Sequence, residues 1–535
     1  MSAHDLDRAQ HALDLARTAV EGAVNRLAAA PGGTEDHQVV AYDVAHAAAA
    51  VDVASHVLAE YAPKGDDEAA LARAFAADVV HDVTSRTLGR EEEWGLDAME
   101  GALDAALPFV REGRSPALLA RLATVPGDRH LDEDFQLVQE TFRRFAEDRI
   151  TPVAEHVHRT NGDIPEEVIS GLAEIGGFGL SVPEEYGGFA TGGESDYLGM
   201  VVATEELARA SLGVGGSLIT RPEILTRALV RGGTEEQKRK WLPKIATGEV
   251  MVAVSVTEPD FGSDVAGLKT TATPAEGGGW LISGVKTWCT FAARGDVLML
   301  LARTDPDRSL AHRGLSLFVV PKPRGDGKGF VFQQEGRTGK LEGRPIDTIG
   351  YRGMHSYELA FDGWWVPDDA LVGGREGLGR GFYLQMEGFE NGRLQTAARA
   401  LGVMQAAYEV ALDYAENRKV FGSAIVDYQL TRAKLGRMAV IIQACRQFTY
   451  QVARLMAKGE GALEASMVKA YVCRAAEWIT REALQIHGGM GYAEEFPVSR
   501  YFVDARVLSI FEGADEVLAL RVIARRLVER ARGKQ

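Results

Sequence analysis

A chain of 535 residues holds three or four domains at about 150 residues each, which excludes a small scaffold stapled by disulfides or metal. With 46% hydrophobic and 25% charged residues it has the balance of a folded protein, and wholesale disorder and collagen-like repeats are excluded. Its 76 acidic and 59 basic residues leave a formal charge of −17 with no basic patch, which argues against nucleic acid and anionic lipid as partners. The start, MSAHDLDRAQHALDLAR, mixes Asp with Arg and has no apolar h-region, so neither a secretory signal nor a transit peptide is expected. No apolar run reaches the roughly 18 to 20 residues of a membrane span. A cytoplasmic protein is the expectation.

Residues 1–125 are Ala-rich, with apolar residues three and four apart, as in Leu13, Ala16, Val20, Val24 and Leu27. This predicts a bundle of amphipathic helices, broken at Pro31-Gly32-Gly33, at Pro63-Lys64-Gly65 and between Pro108 and Pro116. Val125-Pro126-Gly127-Asp128 reads as a linker to a second helical unit at residues 131–249. From residue 250 to 372 the segments are short, β-branched and punctuated by Gly, Pro or Asp, which predicts a largely antiparallel β domain. Helical periodicity returns over residues 375–535, in stretches long enough for a helical bundle. The predicted fold is therefore mainly α with a central β domain.

Within the β region, Val256-Thr257-Glu258-Pro259-Asp260-Phe261-Gly262-Ser263-Asp264 ends a strand at Thr257 and then reverses the chain. Such a loop offers hydroxyls and backbone N–H groups to a planar polar ring. Further on, Lys286-Thr287-Trp288-Cys289-Thr290 sets an indole and a hydroxyl two apart on a strand, hence on one face. Taken alone, each fits ordinary sheet surface and core better than it fits a flavin. Cys289, Cys445 and Cys473 include no CxxC pair, so neither a disulfide framework nor a thiolate metal site is expected. His355 and His487 lack i,i+4 His or carboxylate partners and read as structural.

In the C-terminal half, Arg418-Lys419-Val420-Phe421-Gly422 is followed by Gln429, and Gln485-Ile486-His487-Gly488-Gly489-Met490-Gly491-Tyr492 by Glu495, Arg500 and Asp504. Together with the strand loop, these spacings resemble the signature patterns of the acyl-CoA dehydrogenase family, across residues 131–532. The resemblance implies a helical domain, a β-barrel-like domain and a C-terminal four-helix bundle, here with an extra N-terminal helical bundle. It implies FAD as cofactor, touched by Thr257, Ser263, Trp288 and Thr290. From a neighbouring subunit it brings Arg418 and Phe421 to the pyrophosphate region and Gln429, Gln485, Gly488 and Gly489 to the adenosine half. The chemistry agrees, since a guanidinium neutralises a diphosphate and glycines let the backbone approach closely. A helix-terminating turn is the other reading of Gly488 and Gly489. A homodimer or homotetramer, an acyl-CoA substrate and electron-transferring flavoprotein as partner also follow from the resemblance.

The family's catalytic carboxylate stands in an aromatic-Glu-Gly context, matched here by Ile510-Phe511-Glu512-Gly513. The resemblance thus implies Glu512 as the base that removes the α-proton, with Gly513 in the substrate site and the β-hydrogen passing to flavin as hydride. Desolvation under an acyl chain would strengthen that base; an acid at a helix start is the alternative. Some relatives carry the base where this chain has Gly392, which bears no side chain, while Arg393 and Glu390 match positions toward the CoA portion. Arg221, in the helical region that closes the acyl pocket of relatives, suits a substrate with its own carboxylate. An ion-paired arginine near Glu223 is the competing reading. With the N-terminal extension, Arg221 points to members that oxidise methylsuccinyl-CoA to mesaconyl-CoA. The rivals are a short or branched monocarboxylic substrate, a flavin monooxygenase on the same scaffold, and a non-catalytic assembly factor.

Overall fold

Side-chain alternation with a period of two sets in at Val252 and yields eight strands. They are β1 (Val252–Ser255), β2 (Thr271–Pro274), β3 (Trp280–Thr290), β4 (Val297–Arg303), β5 (Leu315–Pro321), β6 (Phe330–Gln333), β7 (Lys340–Ile346) and β8 (Ser356–Val366). In this computed structural model, which describes residues 3–96 and 102–533, the strands pair in the order β1-β4-β2-β3-β8-β7-β6, with β5 also against β4. β1 and β4 run parallel, β2 touches β4 in parallel at one residue pair, and the remaining pairs are antiparallel. β4 is buried along its whole length. Val297, Met299 and Leu301 enter one apolar core and Leu298, Leu300 and Ala302 another, as a strand covered on both faces requires.

The first of these cores is closed by helices, through Leu225 and Leu229 of the helix Thr220–Gly232 and Leu242 and Ile245 of the helix Glu235–Ala246. The latter begins with a capping box: Thr234 Oγ1 accepts from the Gln237 N–H, and Gln237 Oε1 accepts from the Thr234 N–H. The second core is filled by Ile282, Tyr357, Leu359 and Phe361 from β3 and β8. These elements belong to a unit spanning Phe135–Gln395.

The second unit joins Met1–Asp134 to Thr396–Gln535, so the N-terminal helices and the C-terminal helices share one packed body. The helix Gln38–His56 is mostly Ala and Val and is buried on nearly every side, because small side chains let neighbouring helices close in around it. The break expected between Pro108 and Pro116 falls at Arg114 and Ser115, and neither proline interrupts a helix. Each stands in a first turn, where the missing N–H costs nothing, and the Ser115 hydroxyl caps the helix Pro116–Arg121 by accepting from the Leu118 N–H. The stretch read as a linker is fastened: Gln443 Nε2 donates to Gly127 O at 2.9 Å, and Tyr61 Oη to Asp128 O at 3.1 Å. Arg432 and Tyr408 donate likewise to the carbonyls of Ala120 and Ala123. Among the described residues, no helix is long and apolar enough to cross a membrane.

The helices Pro116–Arg121 and Gln429–Ala457 approach so closely at Gly436 that an added Cβ would lie 1.8 Å from the Leu119 carbonyl oxygen. Gly436→Ala is therefore expected to cost about 1–3 kcal/mol through overpacking, measured as a lower denaturant midpoint. An unchanged midpoint would show that this helix contact contributes nothing.

Candidate functional site

The loop after β1 is built around a buried ion pair. Lys286 Nζ, from β3, donates to Glu258 Oε1 at 3.0 Å and to Val256 O at 2.9 Å, and Lys286 is 0% exposed. The Glu258 carboxylate also accepts from the backbone N–H groups of Lys269 at 2.7 Å and Thr270 at 2.8 Å. Burial alone would raise the Glu258 carboxyl, but Lys286 and these donors outweigh it and bring it below its ordinary value. With its interior so anchored, the loop leaves Thr257 half-buried and Ser263 exposed, and the Thr287 N–H donates to Thr257 O at 2.8 Å. Neither Glu258 nor Lys286 was a predicted site residue. An acid just after one strand and a lysine in the middle of a later one were the available signal.

Trp288 and Thr290 both lie on β3, but the alternation expected to put them on one face is interrupted. The pairing of β3 with β8 shifts register between Lys286 and Cys289, and Trp288 sits at φ +57°. Trp288 is 56% exposed while Cys289 and Thr290 are both buried, and Thr290 Oγ1 lies 3.2 Å from Ser356 Oγ. An indole standing out of a sheet at a left-handed residue is a strained and solvated arrangement. It leaves a flat aromatic surface open to a ligand.

In the helical unit, Arg418 precedes a tight hairpin, Lys419–Val420 against Ser423–Ala424, whose tip carries Phe421 at φ +49° and 99% exposed. Phe421 and Gln485 line one open groove of about 350 Å³ with Ile425, Tyr428 and Lys434. Gln429 starts the helix Gln429–Ala457 and is exposed. The helix Ala462–His487 ends at Gly488, at φ +59°, so the two glycines do terminate a helix. Open space surrounds both, since a Cβ added at Gly488 or Gly489 would meet nothing within 4 Å. His487 is structural: its Nδ1 lies 2.8 Å from Ala483 O and its ring stacks on Tyr414 at 4.4 Å. His355 has no i,i+4 partner, as expected, but pairs with the distant Asp163 at 3.2 Å.

Glu512 occupies a turn between the helices Pro497–Leu508 and Asp515–Val517, so the acid at the helix start is Asp515 and not Glu512. Glu512 has φ +54° and Gly513 φ +100°. Lys469 Nζ donates to the Gly513 carbonyl oxygen at 2.6 Å, and the Asp515 N–H to Ser509 O at 3.1 Å. Arg399 lies over the Phe511 ring, 4.9 Å from its centroid.

In the other unit, Arg221 is the second residue of the helix Thr220–Gly232 and 6% exposed, with Nη2 3.5 Å from Tyr351 Oη. Glu223 accepts from Arg227 at 2.9 Å and from Asn391 Nδ2 at 3.2 Å. Glu390 and Arg393 lie half-buried on the helix Gly381–Asn417, on either side of the buried Gly392. Among the described residues, no group of three or more His, Cys, Asp or Glu side chains could hold a metal ion.

The fold and these motifs define a flavin-linked oxidoreductase, and comparison with known proteins says which. The chain matches the family descriptions "Acyl-CoA dehydrogenase, N-terminal domain" over residues 132–249, "middle domain" over 253–364 and "C-terminal domain" over 379–528. It is 44% identical to (2S)-methylsuccinyl-CoA dehydrogenase of Cereibacter sphaeroides, over 80% of this chain and 77% of that one. It is 34% identical to the mitochondrial short-chain specific acyl-CoA dehydrogenase of Bos taurus, over 78% and 96%. Among solved structures it resembles butyryl-CoA dehydrogenase from Megasphaera elsdenii, with a TM-score of 0.67 and 29% identity over 75% of this chain and 100% of that one. The chain belongs to the acyl-CoA dehydrogenase family, whose members are FAD flavoproteins, and is an oxidoreductase with acyl-CoA dehydrogenase activity.

Removing one partner of the Glu258–Lys286 pair leaves a buried charge uncompensated. Lys286→Met is expected to lower stability by about 3–5 kcal/mol in denaturant titration. A loss below about 1 kcal/mol would show that the backbone donors alone satisfy Glu258.

Proposed function

We propose that the chain oxidises a small branched dicarboxylic acyl-CoA, (2S)-methylsuccinyl-CoA to mesaconyl-CoA, with Glu512 as the base. Arg221 carries the substrate assignment: its guanidinium is almost out of solvent beside the Tyr351 hydroxyl, in a chain whose 44%-identical relative is named for methylsuccinyl-CoA. A carboxylate at the end of the acyl chain would meet N–H donors there, whereas an alkyl tail gains nothing from them.

The residues present fit FAD. The exposed Trp288 offers a ring face, Thr257 and Ser263 offer hydroxyls, and Gly488 and Gly489 leave open space where a side chain would stand. Thr290 completes the contacts assigned to the β domain. Arg418, Phe421, Gln429, Gln485, Gly488 and Gly489 are assigned to the FAD of a neighbouring subunit in a homodimer or homotetramer. When bound, FAD supplies the two-electron acceptor for the β-hydrogen, which leaves as hydride while the α,β double bond forms.

The chain's own residues do the rest. The Glu512 carboxylate takes the α-proton, and the Glu512 N–H donates to the thioester carbonyl as negative charge builds there. Gly513 is assigned to the substrate site, where its φ of +100° is one a glycine adopts without strain. Arg393 and Glu390 are assigned to the CoA portion. Electron-transferring flavoprotein is the partner that reoxidises the enzyme.

Anaerobic bleaching of the flavin by a panel of thioesters tests both assignments. Methylsuccinyl-CoA should bleach it faster than butyryl-CoA or isobutyryl-CoA, and the reverse order would refute the dicarboxylic choice. Arg221→Met should lower kcat/KM for methylsuccinyl-CoA about 10- to 100-fold and affect butyryl-CoA far less. Glu512→Gln should keep the yellow flavin and lose reduction by orders of magnitude; near-normal bleaching would name the wrong base.

A further inference from the structure

The turn that carries Glu512 is gripped by the N-terminal segment. Tyr42 and His46 lie four residues apart on the helix Gln38–His56, hence on one face, with their rings 4.6 Å apart edge to face. Tyr42 Oη donates to Asp515 Oδ2 at 2.5 Å, and His46 Nε2 stands 3.3 Å from the same oxygen. His46 and Asp515 are buried, and Arg474 lies 5.8 Å from the Tyr42 ring centroid. Burial would raise the Asp515 carboxyl, but His46 and Tyr42 outweigh it and hold it below its ordinary value. Burial, then Asp515, pushes the Tyr42 phenol up to about 12, so it remains a donor. Burial lowers His46, with Arg474 and Arg86 opposing its protonation, and Glu516 is the other acid close to Tyr42.

This grip matters because of what the turn must do. A glutamate at positive φ persists only where surrounding contacts over-determine it, while Gly513 beside it adopts positive φ freely. Lys469 fixes one side of the turn through the Gly513 carbonyl, and the Asp515 N–H closes it onto Ser509 O. The Asp515 side chain is a further handle, three residues from Glu512, and it is held by side chains from the opposite end of the sequence.

We infer that Tyr42 and His46 are positioning residues for Glu512, holding its turn in place through the Asp515 carboxylate. The N-terminal helices thereby enter the catalytic apparatus, beyond any part in packing. The inference rests on Glu512 being the base.

The test uses the FAD-loaded full-length enzyme with Tyr42→Phe, His46→Gln and, as reference, Glu512→Gln. Tyr42→Phe and His46→Gln should each lower kcat for flavin reduction about 10- to 100-fold, the scale of a misplaced catalytic group, with KM and flavin content per chain retained. Amide hydrogen exchange across residues 509–517 should quicken in both, while exchange in the helix Ala462–His487 stays as in the parent. If both variants keep kcat within about twofold and exchange is unchanged while Glu512→Gln is inactive, the grip is irrelevant and the base assignment stands. If Glu512→Gln reduces flavin normally, the base assignment falls and this inference falls with it.

Discussion

A carboxylate proposed to remove a proton from carbon must be held where it would work, and in this chain that requirement falls on a turn the backbone disfavours at Glu512. Glu512 has positive φ, so local propensity does not select its conformation, whereas Gly513 adopts its positive φ without strain. The ammonium of Lys469 on the Gly513 carbonyl and the Tyr42 hydroxyl on Asp515 supply what the backbone lacks. The surrounding helices can then be understood as the frame for these two contacts. Lys469 comes from the middle of Ala462–His487 and Tyr42 from the first turns of Gln38–His56.

The β domain solves a parallel problem by different means. Its loop must present Thr257 and Ser263, yet loops have little packing of their own. The Glu258–Lys286 pair buries a charge in the base of the loop and ties it to β3, and the backbone N–H groups of Lys269 and Thr270 complete the coordination of the carboxylate. β3 in turn derives its rigidity from a sheet whose neighbouring strand β8 is packed through Tyr357, Leu359 and Phe361. The bulge at Trp288 departs from this regularity at the residue whose ring is proposed to face the flavin.

Much of the fold was legible in the residues. The change from a three-to-four period to a period of two near residue 251, and back after residue 374, follows directly from which side chains must reach a core. What periodicity misses is tertiary. A two-residue spacing places Trp288 and Thr290 on one face only if the strand is regular, and one register shift removes that guarantee. The break between Pro108 and Pro116 was legible, but not that each proline would stand in the first turn of a helix, because a proline that starts a helix and one that ends it read alike in sequence. Tyr42, His46 and Asp515 could not be joined by spacing, since 473 positions separate Tyr42 from Asp515. Motif resemblance proposes Glu512 as the base, but nothing in a motif shows what holds its turn.

The account stands on the aim of the Glu512 carboxylate, and a crystal structure of the FAD-loaded enzyme with a non-oxidisable methylsuccinyl thioester analogue tests that aim directly. The expected structure has a Glu512 carboxylate oxygen within about 3–3.5 Å of the carbon next to the thioester carbonyl, with the Glu512 N–H donating to the carbonyl oxygen. A carboxylate turned to bulk solvent, with another acid or base against that carbon, would contradict it.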